Sequence, residues 1–437
     1  MPQRTAKLSN NLKGITGECP DKSLSHRSII IPSISQGITE ITNLLEGEDV
    51  MHTIDALHLA GVKIEKEKNK WLVYGKGLNS LIEPSRHLYL GNSGTSTRLL
   101  AGLFAPYNFN IFFTGDASLS KRPMQRLFKP LQQMGAQFIS NSRSTTPFCM
   151  SGTSNLIPTE WEMKVPSAQV KSAILLAACQ IQGKTTIVEN IKTRDHTENM
   201  LKSVGAEIDI HNNKITINGG KQLKNQHVTI PNDPSSAAFL IATAILCENS
   251  NITVESVCIN KTRIGFFDAL IEMGAKIEFK NKRIVSDEEV ADISAEYSPN
   301  LYPIHLNENI APSMIDEYPI IFVVASFANG TSTFKGLHEL TTKESNRLKI
   351  MEKNLTQIGV QCRANYENYS MEIIGNKNLN PESLQIVHTY MDHRIAMSCL
   401  IAGLRSTIGI TIDDDTYINT SFPKFIDIMK NLGCNLN

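Results

Sequence analysis

Short polar clusters recur along the chain, each just ahead of an apolar, helix-like run. "DKSLSHR" holds Lys22, Ser23, His26 and Arg27, and "GNSGTSTR" (Gly91 to Arg98) sets hydroxyl residues around Gly94. "GDASLSKRPM" brings Arg122 with Pro123 behind it, and "VPSAQVKS" brings Ser167, Ala168 and Gln169. "TRDHTENM" offers Arg194 and His196, "SMIDEYP" Asp316, "TTKESNR" Lys343, Glu344 and Arg347, and "MDHRIAM" Asp392, His393 and Arg394. A helix N-terminus presents free N–H groups and a positive dipole end, so it favours anions. Arginine matches carboxylate and phosphate as a fork, and lysine acts as a point charge. Lys22, Arg27, Arg122, Arg194, Lys343, Arg347 and Arg394 have few obvious acidic partners in the sequence, which implies a strongly anionic cargo. A phosphate monoester carries up to about two negative charges, so two phosphorylated or carboxylated ligands would balance them.

Other chemistries fit less well. "GNSGTSTR" lacks the Lys-Ser/Thr ending of a nucleotide loop and the glycine spacing of a dinucleotide fingerprint. No His pair and no C-x-x-C spacing supports a metal, and Ser23 and Ser167 lack a triad pattern. Taken singly, each cation reads as a solvated surface residue. Asp316 and Asp392 read as plain N-caps, and Glu344 beside Lys343 as a surface pair. His26, His196 and His393 read as packed or capping side chains. Recurrence of the same kind of cluster at equivalent points favours a shared site. Lys+Arg and Asp+Glu are equal at 43 each, and aromatics are few along the basic segments, which argues against nucleic acid. No apolar stretch is long enough for a bilayer, and "MPQRTAKLSNNLKG" has no apolar signal region. Eight scattered cysteines without paired spacing suit the cytoplasm.

The elements that must position these residues form a repeat. An apolar residue, Gly, a small or apolar residue and then a strand recur as "LAGVKIE", "QMGAQFI", "SVGAEIDI", "EMGAKIEF", "QIGVQC" and "NLGCNL". Their glycines are Gly61, Gly135, Gly205, Gly274, Gly359 and Gly433, roughly 70 residues apart. Each phrase reads as a helix end with glycine at the left-handed position, then a strand. Between them lie six weakly charged helical runs, expected to be buried and to start on Ser, Asp or Asn: "SLSHRSIIIPSIS", "SGTSTRLLAGLFA", "SAQVKSAILLAACQ", "SSAAFLIATAILC", "DEYPIIFVVASFA" and "DHRIAMSCLIAGL". The chain of 437 residues thus divides into six α/β units, with two domains of three units fitting better than a solenoid. Pro231 to Pro234 in "TIPNDPSS" is the expected hinge, and "GECPDKS" near Cys19 and Pro20 the expected second crossing.

In order, "DKSLSHR", "LGNSGTSTR", "GDASLSKRPM", "SAQVKSAILLA", "KESNRL" and "YMDHRIAM" resemble the 5-enolpyruvylshikimate-3-phosphate synthase family, from about residue 14 through "SFPKFIDIM". "LLEGEDV", "TRDHTE" and "APSMIDEYPI" are most similar to its class II branch. The resemblance implies an α/β (or α+β) fold of two inverse half-barrel domains, each of three β-α-β-α-β-β units, with the active site in the interdomain cleft. It implies domains of residues 20–231 and of 1–19 with 232–437. The implied reaction moves the enolpyruvyl group of phosphoenolpyruvate to the 5-hydroxyl of shikimate 3-phosphate, releasing phosphate, with no metal or cofactor, in a cytoplasmic monomer. Carried over by position, Lys22, Ser23, Arg27, Ser167, Ala168, Gln169, Arg194, Asp316 and Lys343 resemble shikimate 3-phosphate contacts. Lys22, Gly94, Arg122, Gln169, Arg347 and Arg394 resemble the phosphoenolpyruvate pocket. Asp316, Glu344 and Lys22 resemble the proton-transfer groups.

The chain departs from the family at Thr341, Thr342 and Asn346 around "KES", and at Thr420, where many members carry a lysine. A rival within the fold is the UDP-N-acetylglucosamine enolpyruvyl transferase, whose loop cysteine Cys149 matches poorly. A non-catalytic anion-binding scaffold is the rival outside catalysis, against which Lys22, Asp316 and Glu344 are all present. Glyphosate is the inhibitor the resemblance implies, and Gly94 stands where tolerant class II members have alanine.

Overall fold

The computed structural model describes residues 2–437. Helices and strands alternate in six repeats. The helices are α1 (Lys22–Ser33) and α2 (Glu48–Leu59), α3 (Gly94–Phe104) and α4 (Gln125–Met134), and α5 (Ala168–Ala178) and α6 (His196–Ser203). They continue with α7 (Pro234–Leu246) and α8 (Gly265–Glu272), the one-turn α9 (Ala311–Met314) with α10 (Tyr318–Ser326) and α11 (Arg347–Gln357), and α12 (His393–Gly403) with α13 (Phe425–Asn431). The six repeat glycines follow the second helix of each repeat, and all have φ between 81° and 121°. Glycine enters that region without a Cβ penalty, so the helix stops there and the strand can begin.

Each repeat builds one sheet. In the second, Leu88–Tyr89 runs parallel to Asn110–Thr114 across α3, and Asn110–Thr114 pairs antiparallel with Phe148–Ser151. Gln137–Ser140 completes that hairpin. Six such sheets form, giving the β-α-β-α-β-β unit throughout. Three repeats borrow a strand. Leu223–Lys224 and His227–Thr229 supply the first strand beside Ser35–Thr42. Lys13–Thr16 lies parallel to Asn251–Cys258 in the fourth repeat. Arg4–Lys7 sits between Ile410–Ile412 and Asn435–Leu436 in the sixth.

The chain divides into two compact units: Asp21–Ile230 with Val285–Asp287, and residues 1–20, Pro231–Ile284 and Glu288–Asn437. Each has its own core, filled by the inner helices α1, α3 and α5 in the first unit and α7, α10 and α12 in the second. These helices are buried beyond their first turn, and their polar side chains, such as Arg27, Arg98 and Lys171, are buried with them. The expected break at Pro231–Pro234 is partly a helix start. Pro234 opens α7 behind the cap Asp233, a position where its missing N–H costs nothing. The expected polar cap also fails at α10, which begins at Tyr318 behind Glu317 with no side-chain cap bond.

A second set of recurrent glycines lies outside the helix-end phrases. Gly75, Gly152, Gly219 and Gly375 stand at the ends of the last strands. A Cβ there would lie 2.2 Å from Pro32 O, 2.2 Å from Tyr107 O, 1.9 Å from Ala178 O and 2.3 Å from Ala328 O, respectively. Here the reason is space against the carbonyls that end α1, α3, α5 and α10, since none of the four has positive φ. Gly219→Ala should therefore cost about 3 kcal/mol of unfolding free energy through overpacking. Gly205→Ala, with open space but positive φ, should cost only about 1 kcal/mol. Urea unfolding of both variants checks this, and equal losses would remove the carbonyl contact as the cause.

Candidate active site

In the unit of Asp21–Ile230, the expected site residues Lys22, Ser23, Arg27, Gly94, Ser167, Ala168 and Gln169 lie in or just before the first two turns of α1, α3 and α5. Asp21 caps α1 by accepting from Leu24 N at 2.7 Å, which puts Lys22 and Ser23 in the first turn. Lys22 Nζ lies 2.5 Å from Asp49 Oδ2, in the first turn of α2. One turn further, Arg27 is buried. Its Nε donates to Thr197 Oγ1 at 2.7 Å, its Nη1 to Ser23 O at 2.9 Å and its Nη2 to Ser172 Oγ at 2.8 Å. One guanidinium thus ties α1 to α5 and α6.

Gly94 is the first residue of α3, behind the cap Ser93. A Cβ on it would lie 2.6 Å from Arg98 Nη1 and 2.8 Å from Arg122 Nη1. Arg98 Nη1 donates to Gly94 O at 3.1 Å and to Gln169 Oε1 at 2.8 Å, while Gln169 Nε2 donates to Thr95 Oγ1 at 2.9 Å. Arg122 Nη2 donates to Asn92 Oδ1 at 2.5 Å. Gly94, Arg122 and Gln169 are therefore gathered around Arg98, the closing residue of "GNSGTSTR". Ser167 caps α5, and Ala168 begins it. Half-buried Arg194 precedes α6. Its chain is fixed by buried Lys171, which pairs with Glu189 at 3.0 Å and Glu198 at 2.8 Å, because Glu189 also takes the Thr193 N–H at 3.0 Å. Burial pushes the Glu198 carboxyl above its usual range against the pull of Lys171.

In the other unit, Asp316, Lys343, Glu344 and Arg347 form one ion-pair network, which Arg394 joins through the Asp316 carbonyl. Asp316 Oδ1 is 3.2 Å from both Lys343 Nζ and Arg347 Nη1. Arg347, 1% exposed, also meets Glu344 at 2.5 Å and Asp392 at 2.9 Å. Burial opposes its charge, but Asp392, Glu344 and Asp316 together hold the guanidinium protonated beyond the ordinary range. Burial lowers the Lys343 ammonium below the usual lysine value, although Asp316 pulls the other way. Asp392 is the N-cap of α12 and accepts from Arg394 N at 3.0 Å. Arg394 Nη1 reaches Asp316 O at 3.3 Å and Glu317 Oε1 at 3.5 Å. Of the departures from the family pattern, Asn346 caps α11, and Thr420 Oγ1 lies 3.4 Å from His393 Nδ1.

Two readings of the sequence need correction. Asp392 is a cap as expected, but Asp316 is not, since α10 starts two residues later. The cations also do not lack acidic partners, because Lys22, Lys343, Arg347 and Arg394 all face carboxylates. Those partners escape a sequence reading because Asp49 sits on another helix and Asp392 in another repeat. Glu317 stands in plain view beside Asp316, without a periodicity to mark it. Among the described residues, no group of three or more His, Cys, Asp or Glu side chains could hold a metal, and no helix is long and apolar enough to cross a membrane.

The fold is that of the enolpyruvyl transferases. The solved enolpyruvyl transferase NikO from Streptomyces tendae matches with a TM-score of 0.77, covering 100% of this chain and 98% of its own, at 15% identity. More narrowly, the chain belongs to the EPSP synthase family: residues 7–429 match the family model for EPSP synthase (3-phosphoshikimate 1-carboxyvinyltransferase). The 3-phosphoshikimate 1-carboxyvinyltransferase of Zymomonas mobilis is 44% identical over 94% of this chain and 92% of its own. That of Gluconobacter oxydans is 42% identical over 99% of each. The EPSP synthase structure from Acinetobacter baumannii superposes with a TM-score of 0.87 at 38% identity, covering 100% of this chain and 99% of its own.

His26 gives this region a pH dependence. It is fully buried on α1, with Nδ1 2.8 Å from Thr53 Oγ1. Burial, with the charges of Lys22 and Arg27, holds its pKa well below the ordinary 6.5. The unfolded chain takes up a proton near pH 6.5 and the native one does not, so stability is lost as pH falls through that value. The loss should approach about 1.4 kcal/mol per pH unit. Urea unfolding at pH 7.5 and 5.5 should show His26→Gln losing about that much less than the parent on acidification. An unchanged difference would mean that His26 is not the group responsible.

Proposed function

We propose that the chain transfers the enolpyruvyl group of phosphoenolpyruvate to the 5-hydroxyl of shikimate 3-phosphate, giving 5-enolpyruvylshikimate 3-phosphate and phosphate. The observation that carries this reading is the match of residues 7–429 to the EPSP synthase family, with both residue sets present in the chain. We read the protein as a cytoplasmic monomer that needs no metal or organic cofactor.

The chemistry assigns a task to each group. The 5-hydroxyl oxygen forms a bond to C2 of phosphoenolpyruvate while its proton goes to Asp316. An aspartate of ordinary pKa near 4 is a weak base for an alcohol, so this transfer is concerted with C–O bond formation. A proton is added to C3 to give a methyl group, from Lys22 or Glu344. The same side chain then takes a proton back from the methyl as the C–O bond to phosphate breaks, which restores the double bond and releases phosphate. Lys22, Ser23, Arg27, Ser167, Ala168, Gln169, Arg194, Asp316 and Lys343 are read as holding shikimate 3-phosphate. Lys22, Gly94, Arg122, Gln169, Arg347 and Arg394 are read as holding phosphoenolpyruvate. Arginine forks supply the bidentate contacts that a carboxylate and a phosphate need.

Phosphate release should require shikimate 3-phosphate and phosphoenolpyruvate together. Turnover with UDP-N-acetylglucosamine instead would sink the reading. Arg122→Ala should raise the KM for phosphoenolpyruvate at least tenfold, the scale of a lost charged hydrogen bond of about 1.5–3 kcal/mol, and leave that for shikimate 3-phosphate nearly unchanged. Equal increases in steady-state kinetics would refute the assignment of Arg122.

Glyphosate is read as a competitor for the phosphoenolpyruvate place. A methyl at position 94 must displace Arg98 and Arg122, whose Nη1 atoms lie 2.6 and 2.8 Å from where it would sit. Gly94→Ala should therefore raise the glyphosate inhibition constant more than the KM for phosphoenolpyruvate, because a longer ligand tolerates the narrowed space less. Equal inhibition constants for parent and variant would rule this out.

A further inference from the structure

Glu317 stands out among the carboxylates of its unit. It is 2% exposed, and neither of its oxygens takes a hydrogen bond from any described residue. The cation it faces is Arg394, whose Nη1 is 3.5 Å from Glu317 Oε1. A carboxylate removed from water and given one loose ion pair is an expensive group to bury. For packing alone, a neutral side chain of the same shape would serve better. A buried polar group left this far from satisfaction calls for a specific reason.

Arg394 supplies one. A guanidinium has five N–H donors in a fixed plane. Four of those of Arg347 are committed, from Nε and Nη2 to Asp392, from Nη1 to Asp316 and from Nη2 to Glu344. The bonds made by the Arg394 side chain run from Nη1, to Asp316 O and towards Glu317. Both contacts lie on the short segment that leads into α10, so they pin one corner of the fork to that segment. A loose charge contact orients the group without using its remaining donors. Nε and Nη2 form the edge that can take a carboxylate or phosphate in two parallel hydrogen bonds.

We propose that Glu317 is a positioning residue, holding Arg394 against the start of α10 so that the open edge of its guanidinium is presented to the anionic substrate. Glu317 itself touches no substrate. The proposal rests on reading Arg394 as a phosphoenolpyruvate contact, so its test carries one readout tied to that reading and one independent of it.

The variants are Glu317→Gln, which keeps shape and removes charge, and Glu317→Asp, which keeps charge on a shorter stem. Steady-state kinetics should show Glu317→Gln raising the KM for phosphoenolpyruvate about tenfold, with that for shikimate 3-phosphate within twofold, and Glu317→Asp lying between parent and Gln. A purely structural role would move both KM values or neither, and either result would overturn the proposal. Tighter phosphoenolpyruvate binding in Glu317→Gln would overturn it too, since Glu317 would then be a repulsive charge and not an anchor. Crystal structures of parent and Glu317→Gln give the independent readout. The Arg394 guanidinium should leave Asp316 O in the variant, and an unmoved guanidinium would count against the proposal whether or not the parent turns over these substrates.

Discussion

Six helices of this chain are buried along nearly their whole length, and such a helix can carry a charged group only near its start or against buried partners, as Lys171 does with Glu189 and Glu198. That constraint decides where each unit can keep its charged and capping groups. α7 buries every residue from Pro234 to Leu246, with mid-helix Thr243 returning its hydroxyl to Phe239 O, and takes its cap from Asp233. α12 buries eleven residues and places Asp392 and Arg394 at its start. At α1, α3, α5 and α10 the C-terminal ends are confined as well, because Gly75, Gly152, Gly219 and Gly375 lie against the carbonyls there and leave no room for a side chain. With one end sealed by backbone, the N-terminal ends are where free N–H groups, capping oxygens and cations can gather.

Lysines of both units meet carboxylates, as Lys22 meets Asp49 and Lys343 meets Asp316, but the arginines at the helix starts have different surroundings. Around α1, α3 and α5, the guanidiniums of Arg27, Arg98 and Arg122 bond to hydroxyls, side-chain amides and backbone carbonyls, and so brace neighbouring helices. Around α10 and α12, Arg347 is enclosed by three carboxylates and held charged by them. A buried arginine in such a cage is a fixed element of the structure. Its neighbour Arg394 is held more lightly, by one carbonyl and one distant carboxylate. Rigid and lightly held arginines thus stand next to each other in one unit.

Much of the architecture is legible in the sequence because it is written in local rules. The glycine that ends each outer helix is fixed by backbone sterics at one residue, and the cap at Ser93, Ser167 or Asp392 by a bond a few residues away. Apolar runs without a polar face announce burial wherever they end up. The cap of α10 misleads, since Asp316 satisfies the same composition rule but sits a residue too early. Gly75 and its counterparts carry no local signal because their constraint is a carbonyl on another element, not their own φ.

The six-fold repeat, the buried helices and the concentration of cations and hydroxyls at helix starts are all set by neighbours along the chain, so the amino-acid order is enough to read them. Folding in three dimensions was needed to settle which strands close which sheet, as with Arg4–Lys7 beside Ile410–Ile412, and which carboxylate meets which cation. Those pairings join residues far apart in sequence. They are selected by packing distance and the cost of burying a charge unpaired, and neither quantity exists until the chain has folded.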